Sequence, residues 1–289
     1  MTAQSETGAI TRLVLKHARD AFGDPATIAA EWQALHFTAA PDFARAVDEY
    51  DRFVDALGTA GANVHMLPKA SGVGLDSIYV RDASVVCDRG VILCRMSKPQ
   101  RAGELAVQEA ALRAFGQPIA GSIQPPGRLE GGDVLWLGSR TLAVGRGYRT
   151  NDAGIAQLRV LLGDTIDELI IVPLPHWRGP ADVFHLMSII SPVDRDLAVV
   201  YSPLMPVAFR ERLLDLGMTL VEVPDQELDT MGANVLAIAP RKCVMVSGNP
   251  LTRTRLERAG AEVFEYEGRE ISAKGGGGPT CLTRPLQRR

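Results

Sequence analysis

The 289-residue chain is short of several things, and each shortage closes off a class of function. Its four cysteines (Cys87, Cys94, Cys243, Cys281) lack any CxxC spacing, so neither a zinc site nor a disulfide framework is indicated. Basic residues are not in excess. The 31 Lys and Arg face 34 Asp and Glu, a formal net charge of −3, which argues against nucleic acid or an anionic membrane as partner. No apolar run approaches the roughly 20 residues a membrane span needs. The opening MTAQSETGAI has neither a basic nor an apolar stretch, so residues 1–10 read as a mobile leader and a cytoplasmic location is expected. A glycine-rich phosphate loop between a strand and a helix is also missing, which weakens the case for a doubly wound α/β sheet.

What is present is a composition with 46% apolar and 22% charged residues, enough for a large core. Along it one pattern recurs: strand, polar turn, strand, polar loop, helix, glycine, strand. Clear copies start at Ser84, Val134, Asp196 and Leu236, with comparable second strands at Val91, Thr141, Ala198 and Cys243. A fifth, less regular copy fits ARAVDEYDRFVDALGTAGANVHMLP, where apolar residues at helical spacing lead through a glycine into a strand. No linker divides the chain. Residues 1–289 are therefore expected to form one closed catalytic domain of ββαβ units stacked around an axis.

In such an array the loops at one end converge on the axis, so polar residues at strand ends become neighbours. Four stretches carry candidates: DSIYVRDASVV, RLEGGDVLW, DVFHLMS and the terminal GGGGPTC. Cys281 is the candidate nucleophile, because a thiolate attacks electrophilic carbon without a metal and backbone N–H groups bared by the glycines can hold it. His185 is the candidate general acid and base, with an unperturbed pKa near 6.5 and a strand position aimed at the axis. Asp82, Glu130 and Asp133 supply carboxylates. Buried without a lysine motif beside them, such acids call for a cationic ligand, and a planar guanidinium suits a pair of them. Taken singly, each has a plainer reading: a structural cysteine, a core histidine, acids in turns.

Together, RD, EGGD, FHL and GGGPxC in that order resemble the guanidino-group-modifying enzymes, or penteins: dimethylarginine dimethylaminohydrolases, arginine deiminases and amidinotransferases. The resemblance runs from about Asp76 to the C-terminus and implies a five-bladed α/β-propeller. It also implies Cys281 as nucleophile, His185 as acid and base, and Asp82 and Glu130 as the clamp on the substrate guanidinium. Asp76 matches a further active-site aspartate, and Asp133 is grouped with the substrate-binding residues. Arg95 in VILCRMSKPQRAGE and Arg149 in GRGYRTNDAG match residues that bind the substrate carboxylate. Met187 departs from the pattern, standing where the deiminases and amidinotransferases carry aspartate and many dimethylarginine hydrolases lysine. Arg81 and the GGGPxC ending, by contrast, look more like the deiminases.

The function so implied is hydrolysis of a guanidino C–N bond, with Nω-methylated arginine as substrate and citrulline and a methylamine as products. Neither metal nor organic cofactor is expected. An amidinotransferase using the same covalent intermediate, an arginine-consuming hydrolase and a catalytically silent binding module are the competing readings. The oligomeric state stays open, a homodimer included, as does a lid from residues 17–35.

Overall fold

The computed structural model describes residues 3–58, 61–182 and 184–289. The chain enters β1 (Ile10–Leu15), then short helices α1 (Ala18–Phe22) and α2 (Pro25–Glu31), the longer α3 (Phe43–Gly58) and β2 (Asn63–Met66). Three full ββαβ units follow. They are β3 (Ser84–Cys87), β4 (Gly90–Leu93), α4 (Glu104–Ala114), β5 (Ile119–Ser122); then β6 (Val134–Trp136), β7 (Thr141–Arg146), α5 (Asp152–Leu162), β8 (Glu168–Pro173); then β9 (Ile190–Asp194), β10 (Leu197–Val200), α6 (Val207–Asp215), β11 (Thr219–Glu222). A fourth comprises β12 (Val235–Ala239), β13 (Lys242–Val246), α7 (Pro250–Arg258) and β14 (Glu262–Tyr266), after which β15 (Arg284–Arg288) ends the chain.

Each unit makes its own three-stranded sheet, the first two strands antiparallel and the third joined to the second in parallel across the helix. The fifth sheet is assembled from both ends of the chain. β15 pairs antiparallel with β1, and β1 pairs in parallel with β2, so the C-terminal strand takes the first position of the N-terminal blade. The result is a five-bladed α/β-propeller. In each blade burial falls outward: β3 and β6 are buried throughout, whereas β5 and β11 are largely half-exposed. First strands neighbour one another across blades, β12 beside β9 and β15 beside β3, which sets them around the axis. Runs such as GVIL in β4 are apolar without alternation because both faces are covered.

The core lies between blades. Leu13, Tyr50, Phe53 and Leu57 pack with Leu236 and Val244 between the first and last blades, while Ile92, Leu129 and Leu142 fill the joint between the second and third. Helix α3 contributes Ala46, Tyr50, Phe53 and Leu57, the i, i+4, i+7, i+11 stripe of an amphipathic helix. Fully burying one such large apolar side chain is worth about 1.5–3 kcal/mol.

Two expectations change. The copy placed from Asp196 begins one strand early in sequence, at Ile190, because the apolar ISPV precedes the turn. Residues 3–10 do not form a loose leader: Gln4, Glu6 and Thr7 are buried, Glu6 meets Arg81 at 3.3 Å, and Ile10 opens β1. Residues 1 and 2 lie outside the described residues. The arginine-rich ending is strand β15, with Arg288 buried and donating to the carbonyls of Gly8 and Ala237.

Candidate active site

The blade order explains the site. The first strands of the units begin within about five residues after Asp82, Glu130, His185 and Asn234, and β15 begins shortly after Cys281. One residue per blade is therefore delivered to the same end of the axis. Second strands run the other way and return their C-terminal loops to that end, which brings Lys98 and Arg101 from beyond β4 and Arg149 from beyond β7. A small cavity there is lined by Asp76, Tyr79, Asp82, Lys98, Arg101, Glu130, Arg149, His185, Gly275, Gly276, Gly277 and Cys281.

The terminal glycines fit this crowding. A Cβ on Gly275 or Gly277 would overlap Tyr79, and one on Gly278 would stand 2.5 Å from Asn234 Cγ, so the loop before Cys281 presses against both side chains. Backbone N–H groups are not what holds the sulfur. Asn234 Nδ2 donates to Cys281 Sγ at 3.3 Å, and Asn234 Oδ1 accepts from the Thr280 N–H at 3.0 Å and its hydroxyl at 2.8 Å. Burial pushes the Cys281 thiol pKa up, the Asp82 carboxylate adds to this, and the Asn234 and Thr280 hydrogen bonds counter it in part. These influences favour the neutral thiol at Cys281.

His185 stands in extended backbone as the cap of a 3₁₀ turn, Leu186–Ser188, not within a strand as expected. Its Nε2 faces Glu130 Oε2 at 2.8 Å, both side chains buried. Burial pulls the imidazole pKa down, but Asp82, Asp133 and Glu130 together outweigh it and push the value up to about 9. Burial acts upward on Glu130 as well, yet the His185 partnership holds its carboxyl well below the usual range. At neutral pH the site thus holds an imidazolium beside a carboxylate. Glu130 Oε1 also accepts from the Ser97 N–H at 2.8 Å and hydroxyl at 2.6 Å.

Asp82 is divided. Its Oδ2 accepts from Arg101 Nη1 at 2.6 Å, while Oδ1 is buried with no hydrogen-bond partner among the described residues. Arg101 in turn forks onto Glu104 at 2.7 and 2.8 Å. The carboxylates are therefore not without internal cations, contrary to the sequence expectation: Arg101 serves Asp82, His185 serves Glu130, and Lys98 meets Asp76 at 3.1 Å. What Asp82 retains is one desolvated acceptor turned toward no donor, a costly arrangement that a bound N–H relieves.

Two expected ligands stand elsewhere. Asp133 is fully buried behind the cavity, accepting from the Thr150 hydroxyl at 2.6 Å and the Leu186 N–H at 3.0 Å, and so fixes the segments that carry Arg149 and His185. Burial pushes its pKa up to about 6, against His185 and both hydrogen bonds. Arg95 donates to the Gly127 carbonyl at 3.1 Å and is absent from the cavity wall. Met187 packs into the core. Of the residues that sequence reading passed over, Asn234 had a signal: it precedes β12 as Asp82, Glu130 and His185 precede their strands. Arg101, Lys98 and Tyr79 lie inside the quoted stretches, but nothing in the sequence singled them out.

Asp82, Glu130 and His185 also offer ligand atoms within 4.8 Å of one another, but each already faces an internal partner, so the trio is held by pairing within the protein. No helix among the described residues is long and apolar enough to cross a membrane.

The arginine deiminase family profile matches residues 76–216 and 206–288. An N(G),N(G)-dimethylarginine dimethylaminohydrolase from Streptomyces coelicolor is 30% identical over 85% of this chain and 88% of its own. Among solved structures, a mutant Pseudomonas aeruginosa dimethylarginine dimethylaminohydrolase complexed with citrulline superposes with a TM-score of 0.75 at 21% identity, covering 95% of this chain and 98% of that one. The product-bound N-terminal domain of the cyanobacterial arginine dihydrolase ArgZ reaches 0.80 at 20% identity, covering 97% and 98%. Fold, matched span and relatives agree: the chain belongs to the arginine deiminase family, as an enzyme acting on guanidino groups.

Proposed function

We propose that the chain hydrolyses a C–N bond of Nω,Nω-dimethylarginine or its monomethyl counterpart, giving citrulline and a methylamine. The observation that carries this reading is the unpartnered Asp82 Oδ1, buried in the same cavity as the Cys281 thiol and the His185 imidazolium. A guanidinium N–H supplies the missing donor. The remaining acceptor capacity of Glu130, whose two oxygens take three hydrogen bonds, engages a second nitrogen.

The bound cation beside the sulfur offsets the field of Asp82 that keeps the thiol protonated, and Cys281 loses its proton to solvent as substrate enters. The thiolate adds to the guanidinium carbon. His185, charged at neutral pH, gives its proton to the departing amine as the C–N bond breaks, leaving a thiouronium on Cys281. Water then attacks that carbon and His185 takes one of its protons; as the C–S bond breaks, the second passes to the departing sulfur, so the ureido product leaves and Cys281 returns to the thiol. Glu130 keeps the imidazole oriented in both halves. No metal or organic cofactor enters these steps.

The test is a panel of methylated and unmethylated guanidino compounds assayed for ureido product and released amine, with and without a primary amine acceptor. Methylamine or dimethylamine release by the wild type and none by Cys281→Ser supports the reading. Ammonia release from arginine alone reassigns the substrate, as the likeness to the arginine dihydrolase would favour. Transfer to the acceptor without ureido product overturns hydrolysis.

A further inference from the structure

One stretch of the cavity wall has its own charge pattern. Lys98 Nζ lies 3.1 Å from Asp76 Oδ2, with side-chain exposures of 14% and 6%, and its other partner is the Leu35 carbonyl at 3.5 Å. Arg149 reaches the same wall with only neutral partners, the Ser97 hydroxyl at 3.3 Å and the Asp182 carbonyl at 3.0 Å, and its Nε is buried without a hydrogen bond. Ser97 touches Arg149 and adjoins Lys98 in sequence, so the two cations sit on one short stretch of wall. Arg95, expected to complete an arginine pair on the substrate carboxylate, is turned onto Gly127 instead.

We infer that Lys98 is the second ligand for the substrate's carboxylate, taking with Arg149 the part that Arg95 does not play, and that its pairing with Asp76 opens when substrate binds. Lys98 already holds a carboxylate oxygen, that of Asp76, so its ammonium has the reach and the chemistry for another. An α-amino-acid end carries opposite charges on one carbon. Lys98 and Asp76 present opposite charges side by side, so the substrate can exchange one ion pair for two: its ammonium on Asp76, its carboxylate on Lys98 and Arg149. The two internal charges satisfy each other in the meantime, which avoids a buried unpaired ion. The inference rests on a guanidino substrate occupying the cavity, and its test is arranged to fail separately from the hydrolase reading.

The experiment measures binding of arginine and of agmatine, its decarboxylated analogue, by calorimetry on Cys281→Ser, with Lys98 intact, Lys98→Met and Lys98→Arg. This readout needs no turnover. Lys98→Met should weaken arginine at least tenfold and leave agmatine within twofold or tighter, and Lys98→Arg should restore most of the arginine affinity. In the otherwise unmutated enzyme the same substitution should raise KM for arginine-type substrates far more than it lowers kcat. Equal effects on arginine and agmatine would reduce Lys98 to a support for Asp76 and overturn the inference, as would unchanged arginine binding or none at the outset. A wild type inactive on every guanidino compound, but binding arginine in a Lys98-dependent way, would sink the hydrolase reading and leave this one standing.

Discussion

Arg101 and Asp82 meet at 2.6 Å with both side chains buried, so the carboxylate that shares the cavity with Cys281 is held by a guanidinium belonging to the protein itself. One oxygen is spent on position, and in the proposed reaction the other takes the substrate. Replacing Arg101 by Ala would strand Asp82 and Glu104 as buried charges, at a cost of about 3–5 kcal/mol. Its activity should fall about a hundredfold through loss of orientation. Urea midpoints and kcat/KM, read together, check this. Arg101→Lys should recover more stability than activity, because an ammonium cannot fork across Asp82 and Glu104.

Asn234 ties Thr280 and Cys281 to the strand that follows it, and the amide is the one side-chain N–H given to the sulfur among the described residues. Without it the thiol pKa should rise further, since that hydrogen bond works against burial. Asn234→Ala should alkylate with iodoacetamide roughly fivefold more slowly at neutral pH, the equivalent of about 1 kcal/mol for one hydrogen bond. An unchanged rate would mean the amide does nothing for the thiolate.

His185 makes stability depend on pH in a defined direction. Its folded pKa, about 9, lies above the unfolded value near 6.5, so the folded state binds the proton more tightly. That contribution is complete below pH ~6.5 and is lost as pH rises through about 9. Unfolding free energy should therefore decline across that interval in the wild type and decline less in His185→Gln, measured by denaturant titration at fixed ionic strength. The rate of amine release should fall over the same upper limb, where the proton for the leaving group is gone.

The N-terminal segment is tied to the site through the axis. Arg81 spans Glu6 and the Thr280 carbonyl, one residue from Cys281, and buried Arg284 and Arg288 crowd the same region. Burial first, then Arg81, pulls the Arg284 pKa down to about 9, a sign that positive charge is in excess there. Glu6→Gln removes the acid and should cost about 3 kcal/mol or more. Deleting residues 1–9 should cost at least as much, both seen as a lowered Tm.

The sequence made the chemistry easier to read than the supports of it. Cys281, His185, Glu130, Asp82, Asp76 and Arg149 stand in short motifs whose order and residue types suit one reaction, and all six line the cavity. Asp133 and Arg95 sit within the same motifs but point behind the wall, a difference of side-chain direction that spacing does not encode. Arg101 and Lys98 look like the polar start of a surface helix, and only closure of the propeller brings them against Asp82 and Asp76. The third strands and the repeat were legible because β-β-α-β periodicity is local. Of the first blade only helix α3 and strand β2 were legible, because its other two strands come from opposite ends of the chain.

The central claim is a covalent bond between Cys281 and the guanidino carbon. His185→Gly, quenched in acid during incubation with Nω-methylarginine and examined by intact-protein and peptide mass spectrometry, tests it most directly. The account predicts an added mass that localises to the peptide containing Cys281 and disappears in the double variant with Cys281→Ser. A wild type that releases methylamine while no adduct forms on Cys281 in either background, or a Cys281→Ser enzyme that still turns over, would contradict it.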